Sequence, residues 1–239
     1  MDISSITGWL KGRAYNTAKI LDNSPEEVRP ELKNYLENCY FSGDDYLINT
    51  PIVSIDLETS GLNDDDNIVS MGICPFENLS IKLVQCRHFL VNSDSALKKD
   101  SVVIHKITHD QMAKGIDSIS AFKQFLNYCH HSLLLVHYHP VEKKFLQKLA
   151  MHITGNKIPI FFLDTFIIEE KIMARRQQAI SATSLRLFNL RKKYGLPAYN
   201  AHNALEDAIS TAELFLAQLA SINRPLQEIR LRDLSLIQI

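Results

Sequence analysis

Apolar and polar positions alternate along residues 52–58, where Ile52, Val53, Ile55 and Leu57 interleave with Ser54, Asp56 and Glu58. Strand side chains repeat with period two, so Asp56 and Glu58 project from one face and Ile55 and Leu57 from the other. This first strand is predicted over 51–58, and further apolar runs at 68–74 and 81–90 stand close enough to it for an antiparallel meander. Leu133-Leu134-Leu135-Val136 and Ile160-Phe161-Phe162-Leu163 read as short, fully buried strands. Elsewhere the spacing is helical. Ile119, Phe122, Phe125, Leu126 and Cys129 share one face, Phe145, Leu146 and Leu149 another, and Leu205, Ala208, Ile209, Ala212, Leu216 and Leu219 mark the clearest helix. Strands alternating with helices after an opening meander predict an α/β fold, a mixed β-sheet flanked on both faces by helices.

Ser24-Pro25-Glu26-Glu27 has the form of a helix start, with serine as cap, proline at the first helical position and glutamate three residues after the cap. Val28, Leu32, Tyr35, Leu36 and Cys39 then supply an apolar stripe. Residues 1–46 are therefore expected to form an N-terminal helical extension, 47–222 the main domain, and 223–239 a short amphipathic tail with no assignable role. A chain of 239 residues buries a full core without staples. Cys39, Cys74, Cys86 and Cys129 lack the short spacings of zinc or redox motifs, so reduced, mostly buried thiols in a cytoplasmic protein are expected. No opening stretch has the form of a signal peptide and no run of about 18 apolar residues suggests a membrane span.

The formal net charge of −1 excludes a basic protein that holds long duplexes by charge alone. Its distribution is uneven. From Lys171 to Leu205 no residue is acidic, while Lys171, Arg175, Arg176, Arg186, Arg191, Lys192 and Lys193 are basic. Acids gather instead around Asp56 to Asp66 and at Glu206 and Asp207. A positive patch beside a negative cluster suits a phosphodiester enzyme, with Arg175, Arg176, Arg191 and Lys192 as candidate phosphate contacts; the alternative is a solvated basic helix face. Asp56 and Glu58 likewise allow two readings, a turn-forming acidic segment before Gly61 or an all-oxygen cation site suited to Mg²⁺ or Mn²⁺. His130, His131, His137 and His139 lack ordered cysteine or carboxylate partners, so no zinc site is expected from them.

Three segments together resemble the DEDDh 3′→5′ exonucleases, the family of the proofreading subunit of bacterial replicative polymerase and of oligoribonuclease. Ile55-Asp56-Leu57-Glu58-Thr59-Ser60-Gly61-Leu62 matches the first motif, and Ala201-His202-Asn203-Ala204-Leu205-Glu206-Asp207-Ala208 the third, in which histidine precedes the last aspartate by five residues. Val103-Ile104-His105-Lys106-Ile107-Thr108 is similar to the connecting segment. The second motif departs from the usual His-Asn-Ala-x-Phe-Asp: here His137-Tyr138-His139-Pro140-Val141-Glu142 places Glu142 at the second aspartate and Tyr138 at the asparagine.

The resemblance spans roughly residues 50–220 and implies a ribonuclease-H-like sheet. It also implies two Mg²⁺ or Mn²⁺ ions per active site, held by Asp56, Glu58, Glu142 and Asp207, with His202 as the base. Thr59, Gly61, Leu62 and Tyr138 would touch the terminal nucleotide, and Asp164 and Thr165 would cap a helix or support the inner ligands. The implied partner is the 3′ end of a single strand, DNA slightly before RNA, with possible attachment to a replication, repair or turnover complex through the N-terminal extension. A short-RNA exoribonuclease and a non-catalytic nucleic-acid-binding scaffold on a degenerate nuclease fold are the alternatives.

Overall fold

A computed structural model describes residues 16–92 and 107–239. The alternating segment becomes the central strand, β1 (Ile52–Thr59). β2 (Ile68–Glu77) pairs antiparallel with it, and the predicted third strand resolves into β3 (Ser80–Ile81) and β4 (Arg87–Leu90), both antiparallel to β2. A 3-10 turn, Leu83–Gln85, separates the two and leaves Leu83 and Val84 exposed, so their apolar character does not mark a strand there. On the other side of β1, β5 (Leu133–Val136) and β6 (Phe161–Asp164) pair in parallel, every residue buried. β7 (Ile237–Gln238) closes that edge antiparallel to β6. The amphipathic tail thus supplies an edge strand.

The helices are α1 (Thr17–Asn23), α2 (Arg29–Asn38), α3 (His109–Met112), α4 (Ser118–Cys129), α5 (Pro140–Thr154), α6 (Thr165–Arg175), α7 (Leu187–Lys193) and α8 (Ala204–Ser221) among the described residues. α8 packs on β1 and β2, and Ser54 Oγ donates to Ala208 O at 2.8 Å. By period two, Asp56 and Glu58 share the Ser54 face, so β1 presents its carboxylates to the start of α8. Gly72 permits this approach. It stands opposite Asp56 in the β1–β2 register, and a Cβ there would lie 2.1 Å from Ala204 O.

The helix expected at Ser24 starts later. Glu26–Val28 forms a 3-10 turn, and α2 begins at Arg29 with Pro30 in its first turn. Proline has no amide hydrogen to donate backward, which makes the first helical turn its natural seat; Ser24 Oγ instead donates to Ile20 O at 2.6 Å. Val28, Leu32, Tyr35 and Cys39 are buried in the same cluster as β1 and β5, and Tyr35 Oη donates to Pro159 O at 2.9 Å. Ile229, Leu231 and Leu234 join that cluster from the other end of the chain, and the Arg230 guanidinium lies 4.2 Å from the Tyr46 ring centroid. Each large apolar side chain so buried contributes about 1.5–3 kcal/mol. Cys39, Cys74 and Cys129 are buried, Cys86 partly so, all as free thiols. Among the described residues no helix is long and apolar enough to cross a membrane.

Candidate active site

Asp56 and Glu58 from β1 and Asp207 from α8 converge, each offering a carboxylate oxygen within 4.8 Å of the others. Asp207 reaches them because α8 starts just before it. Asn203 caps the helix, its side chain accepting from Leu205 N and Glu206 N at 3.1 and 3.2 Å. The amides of His202 and Asn203 then donate to Asp207 Oδ2 at 2.8 and 3.1 Å. Burial and mutual repulsion act together on these acids. Asp56 is held well above the usual carboxyl range by burial and then by Glu142, Asp207 and Glu58; Glu58 is pushed up to about 7 by burial and Asp207. Asp207 is raised as well, by burial, against the opposing Tyr199, His202 and Asn203 donors.

Glu142, in the first turn of α5, lies outside the tight trio but lines the same cavity of ≈ 790 Å³. It is 3% exposed, its Oε2 has no hydrogen-bond partner, and burial raises it to about 8. Three converging carboxylates and one orphaned buried oxygen fit a hard divalent cation, because only a positive charge satisfies so many acceptors at once.

The loop after β1 is held from α5. Lys144 Nζ donates to Leu62 O at 2.8 Å and pairs with Asp64, while Lys148 Nζ donates to the carbonyls of Asp64 and Asp66 at 2.7 and 2.6 Å. The Asp66 carboxylate accepts from Ser60 Oγ and Asn63 N, and a Cβ at Gly61 would sit 2.5 Å from it. The Asp64–Asp66 acids therefore shape the loop, and Thr59, Gly61 and exposed Leu62 line the cavity. His202 lines it too, exposed and in left-handed backbone (φ 70°).

Asp164 caps α6 through Phe166 N and also accepts from Tyr138 N, His139 N and His139 Nδ1, all at 2.8–2.9 Å. Burial opposes ionisation, but these donors win and hold its carboxyl below the ordinary range. They also fix the start of α5, which carries Glu142. Thr165 Oγ1 meets Val136 O and His137 Nδ1 at 3.1 and 2.8 Å. Burial lowers His137 to about 4, so it faces the cavity as a neutral ring. Tyr138 (φ 75°) is exposed against Phe166 and is not among the cavity's lining residues. His105 and residues 103–106 lie outside the described residues.

The bases of the 171–193 segment do not share one face. Arg191 is 3% exposed, donating to Ser210 O and Pro197 O and paired with Glu213 at 2.7 Å. Arg175 and Arg176 sit at the end of α6 remote from Asp164, where Arg176 donates to Ser221 O, at the end of α8 remote from Asp207. Lys193 is drawn to the buried Glu169 at 2.8 Å, and Lys192 is exposed with α7. Arg186 is the basic side chain that lines the cavity, beside Leu187, Phe188 and Tyr199. No motif spacing marks these last residues. Arg191 had a signal: with Leu187, Leu190 and Tyr194 it falls on one helical stripe, the face that α7 buries.

Comparison with known proteins agrees with this geometry. The Exonuclease (RNase_T) family matches residues 53–215. A PolC-type DNA polymerase III of Thermotoga petrophila is 25% identical over 191 residues, covering 80% of this chain but 13% of the polymerase. The DNA polymerase III subunit epsilon of Treponema pallidum is 24% identical over 168 residues, covering 70% of this chain and 75% of that protein. In three dimensions the chain is similar to a 3′-exonuclease solved in 3′-end specific recognition of a histone mRNA stem-loop (TM-score 0.63, 14% identity, 82% of this chain and 92% of that one), a likeness of fold. With a family match across most of its length and the carboxylate cluster on the matching strand and helix, the chain belongs to the Exonuclease (RNase_T) family of nucleases.

Proposed function

We propose that the protein is a cation-dependent 3′→5′ exonuclease that releases nucleoside 5′-monophosphates from single-stranded ends, DNA slightly before RNA. The observation that carries this reading is the convergence of Asp56, Glu58 and Asp207, with the orphaned Glu142 oxygen, in a cavity shared with His202. Mg²⁺ or Mn²⁺ suits such donors, and two ions bound there would supply the charge that activates water and stabilises a departing 3′ oxygen. Asp56, Glu58, Asp207 and Glu142 would hold them. His202 would take the proton from the attacking water. Leu62 and Phe188, both exposed and both lining the cavity, offer apolar faces to a terminal base. Arg186 offers charge to a backbone phosphate.

The ranking of DNA over RNA rests on the polymerase relatives in sequence, and the mRNA-recognising neighbour in structure supports RNA as the second reading. The stripe of α2 is buried in this chain's own core, so attachment to a replication, repair or turnover assembly through the extension would use its outer face. Purified protein should shorten 5′-labelled single strands of matched DNA and RNA from their 3′ ends in Mg²⁺ or Mn²⁺, release monophosphates and stop with EDTA. Protein inert toward both polymers in both metals would overturn the reading.

A further inference from the structure

We propose that Tyr138, braced on Phe166 at the rim of the cavity, is a stacking platform for a base of the single strand upstream of its 3′-terminal nucleotide. The inference rests on the nuclease reading of the site and adds a second contact to it. Tyr138 follows His137, which lines the cavity, but is itself 51% exposed and outside the lining. Phe166 joins the two. Its ring centroid lies 6.0 Å from that of His137 and 5.5 Å from that of Tyr138, edge to face in both cases. Phe166 also packs on the same apolar cluster as Leu187, another lining residue, so the aromatic rim continues the cavity wall. One such contact covers at most one face of the Tyr138 ring.

The backbone fixes the ring in this place. Tyr138 has φ 75°, a left-handed conformation in which Cβ crowds the backbone; asparagine tolerates it and a bulky aromatic residue rarely adopts it. The buried Asp164 carboxylate holds this bend, accepting from Tyr138 N at 2.9 Å and His139 N at 2.8 Å. A strained residue that presents an aromatic face to water beside a cavity for strand ends is a candidate contact for the strand. Every base has a π-face, so stacking holds successive nucleotides without reading their sequence. Leu62 and Phe188 line the cavity that takes the terminal nucleotide; a base on Tyr138 therefore belongs to a nucleotide farther up.

Steady-state release of the first 3′ nucleotide from a 5′-labelled oligothymidine or oligouridine, whichever wild type cleaves faster, tests this. Tyr138→Asn suits the left-handed backbone and removes the ring. It should raise KM roughly 5-fold or more and keep the melting temperature within about 2 °C of wild type. Tyr138→Phe, which keeps the stacking face, should restore the wild-type KM. A single abasic residue placed second, third or fourth from the 3′ end should raise the wild-type KM at one of these positions, and there Tyr138→Asn should add little further loss. A folded Tyr138→Asn protein with wild-type KM, or losses that add in full at every position, would overturn the platform while leaving an active wild type as a nuclease. Wild type that cleaves neither DNA nor RNA would instead overturn the underlying reading of the site.

Discussion

The acidic and basic halves of the expected site fare differently once folded. Asp56, Glu58 and Asp207 meet within 4.8 Å, whereas the bases of the 171–193 run scatter between a buried clamp, a far helix end and a cavity wall. The difference lies in how directly the backbone dictates direction. Two residues apart on a strand must share a face, and a residue in the first turn of a capped helix must lie near its amides. A charge run crossing two helices and a loop carries no such constraint, because each helix turns successive residues by about 100° around its axis. Arg191 was carried inward with Leu187, Leu190 and Tyr194, and Glu213 waits there to neutralise it.

The sharpest way to break the acidic half is Asp56→Asn, which keeps the shape of the cluster and removes one of its three converging acids. Turnover should fall by about 10³-fold or more, since several kcal/mol of charge stabilisation depend on it; single-turnover cleavage of a labelled oligonucleotide measures this. His202→Ala should cost roughly 10²-fold in turnover and leave Mn²⁺ affinity intact, as removal of a proton acceptor does. Equal loss of metal binding would move His202 from base to structural cap.

Gly72→Ala tests whether the helix start is what aims Asp207. The added methyl meets the Ala204 carbonyl at 2.1 Å, so α8 must shift. Overpacking of this kind costs about 1–3 kcal/mol, and a displaced Asp207 should lower turnover by roughly 10- to 100-fold beyond the stability loss. Thermal melts beside rates separate the two. A fully active, stable variant would mean that the approach of α8 tolerates more slack than its contact suggests.

The basic half gives the smallest and most discriminating effect. Arg186→Gln should weaken single-strand binding a fewfold and reduce its salt slope by about 1, whereas Arg175→Gln with Arg176→Gln should change neither. Binding isotherms at several salt concentrations decide this. A flatter slope in the Arg175/Arg176 pair alone would restore the longer groove.

Much of this was legible before folding. Period two gave β1 and its carboxylates, the stripe from Leu205 to Leu219 gave α8, and the spacing of His202 to Asp207 gave the third motif. Tyr199 was not legible, because it reaches the cavity wall from a loop whose path no local pattern records. Nor was the tail: Ile237 and Gln238 pair with Phe162 and Phe161 across some seventy-five positions of sequence, and a two-residue strand carries no periodicity of its own. Gly72 shows the same limit from the other side. Its need for empty space appears only when Ala204 is placed against it.

A Mn²⁺ titration read for protons tests the cation site most directly. Glu58 and Glu142, pushed up to about 7 and about 8, are about half and mostly protonated at pH 7, and a cation binds the ionised form. At pH 7, calorimetry in buffers of different ionisation heat should therefore show saturable Mn²⁺ binding that releases about one proton or more, with affinity rising from pH 6 through 8 and levelling only about a unit above the Glu142 value, and with both signals lost in Asp56→Asn. Binding without proton release, unchanged between pH 6 and 8 and retained in Asp56→Asn, would place the cation elsewhere on the protein and contradict the site.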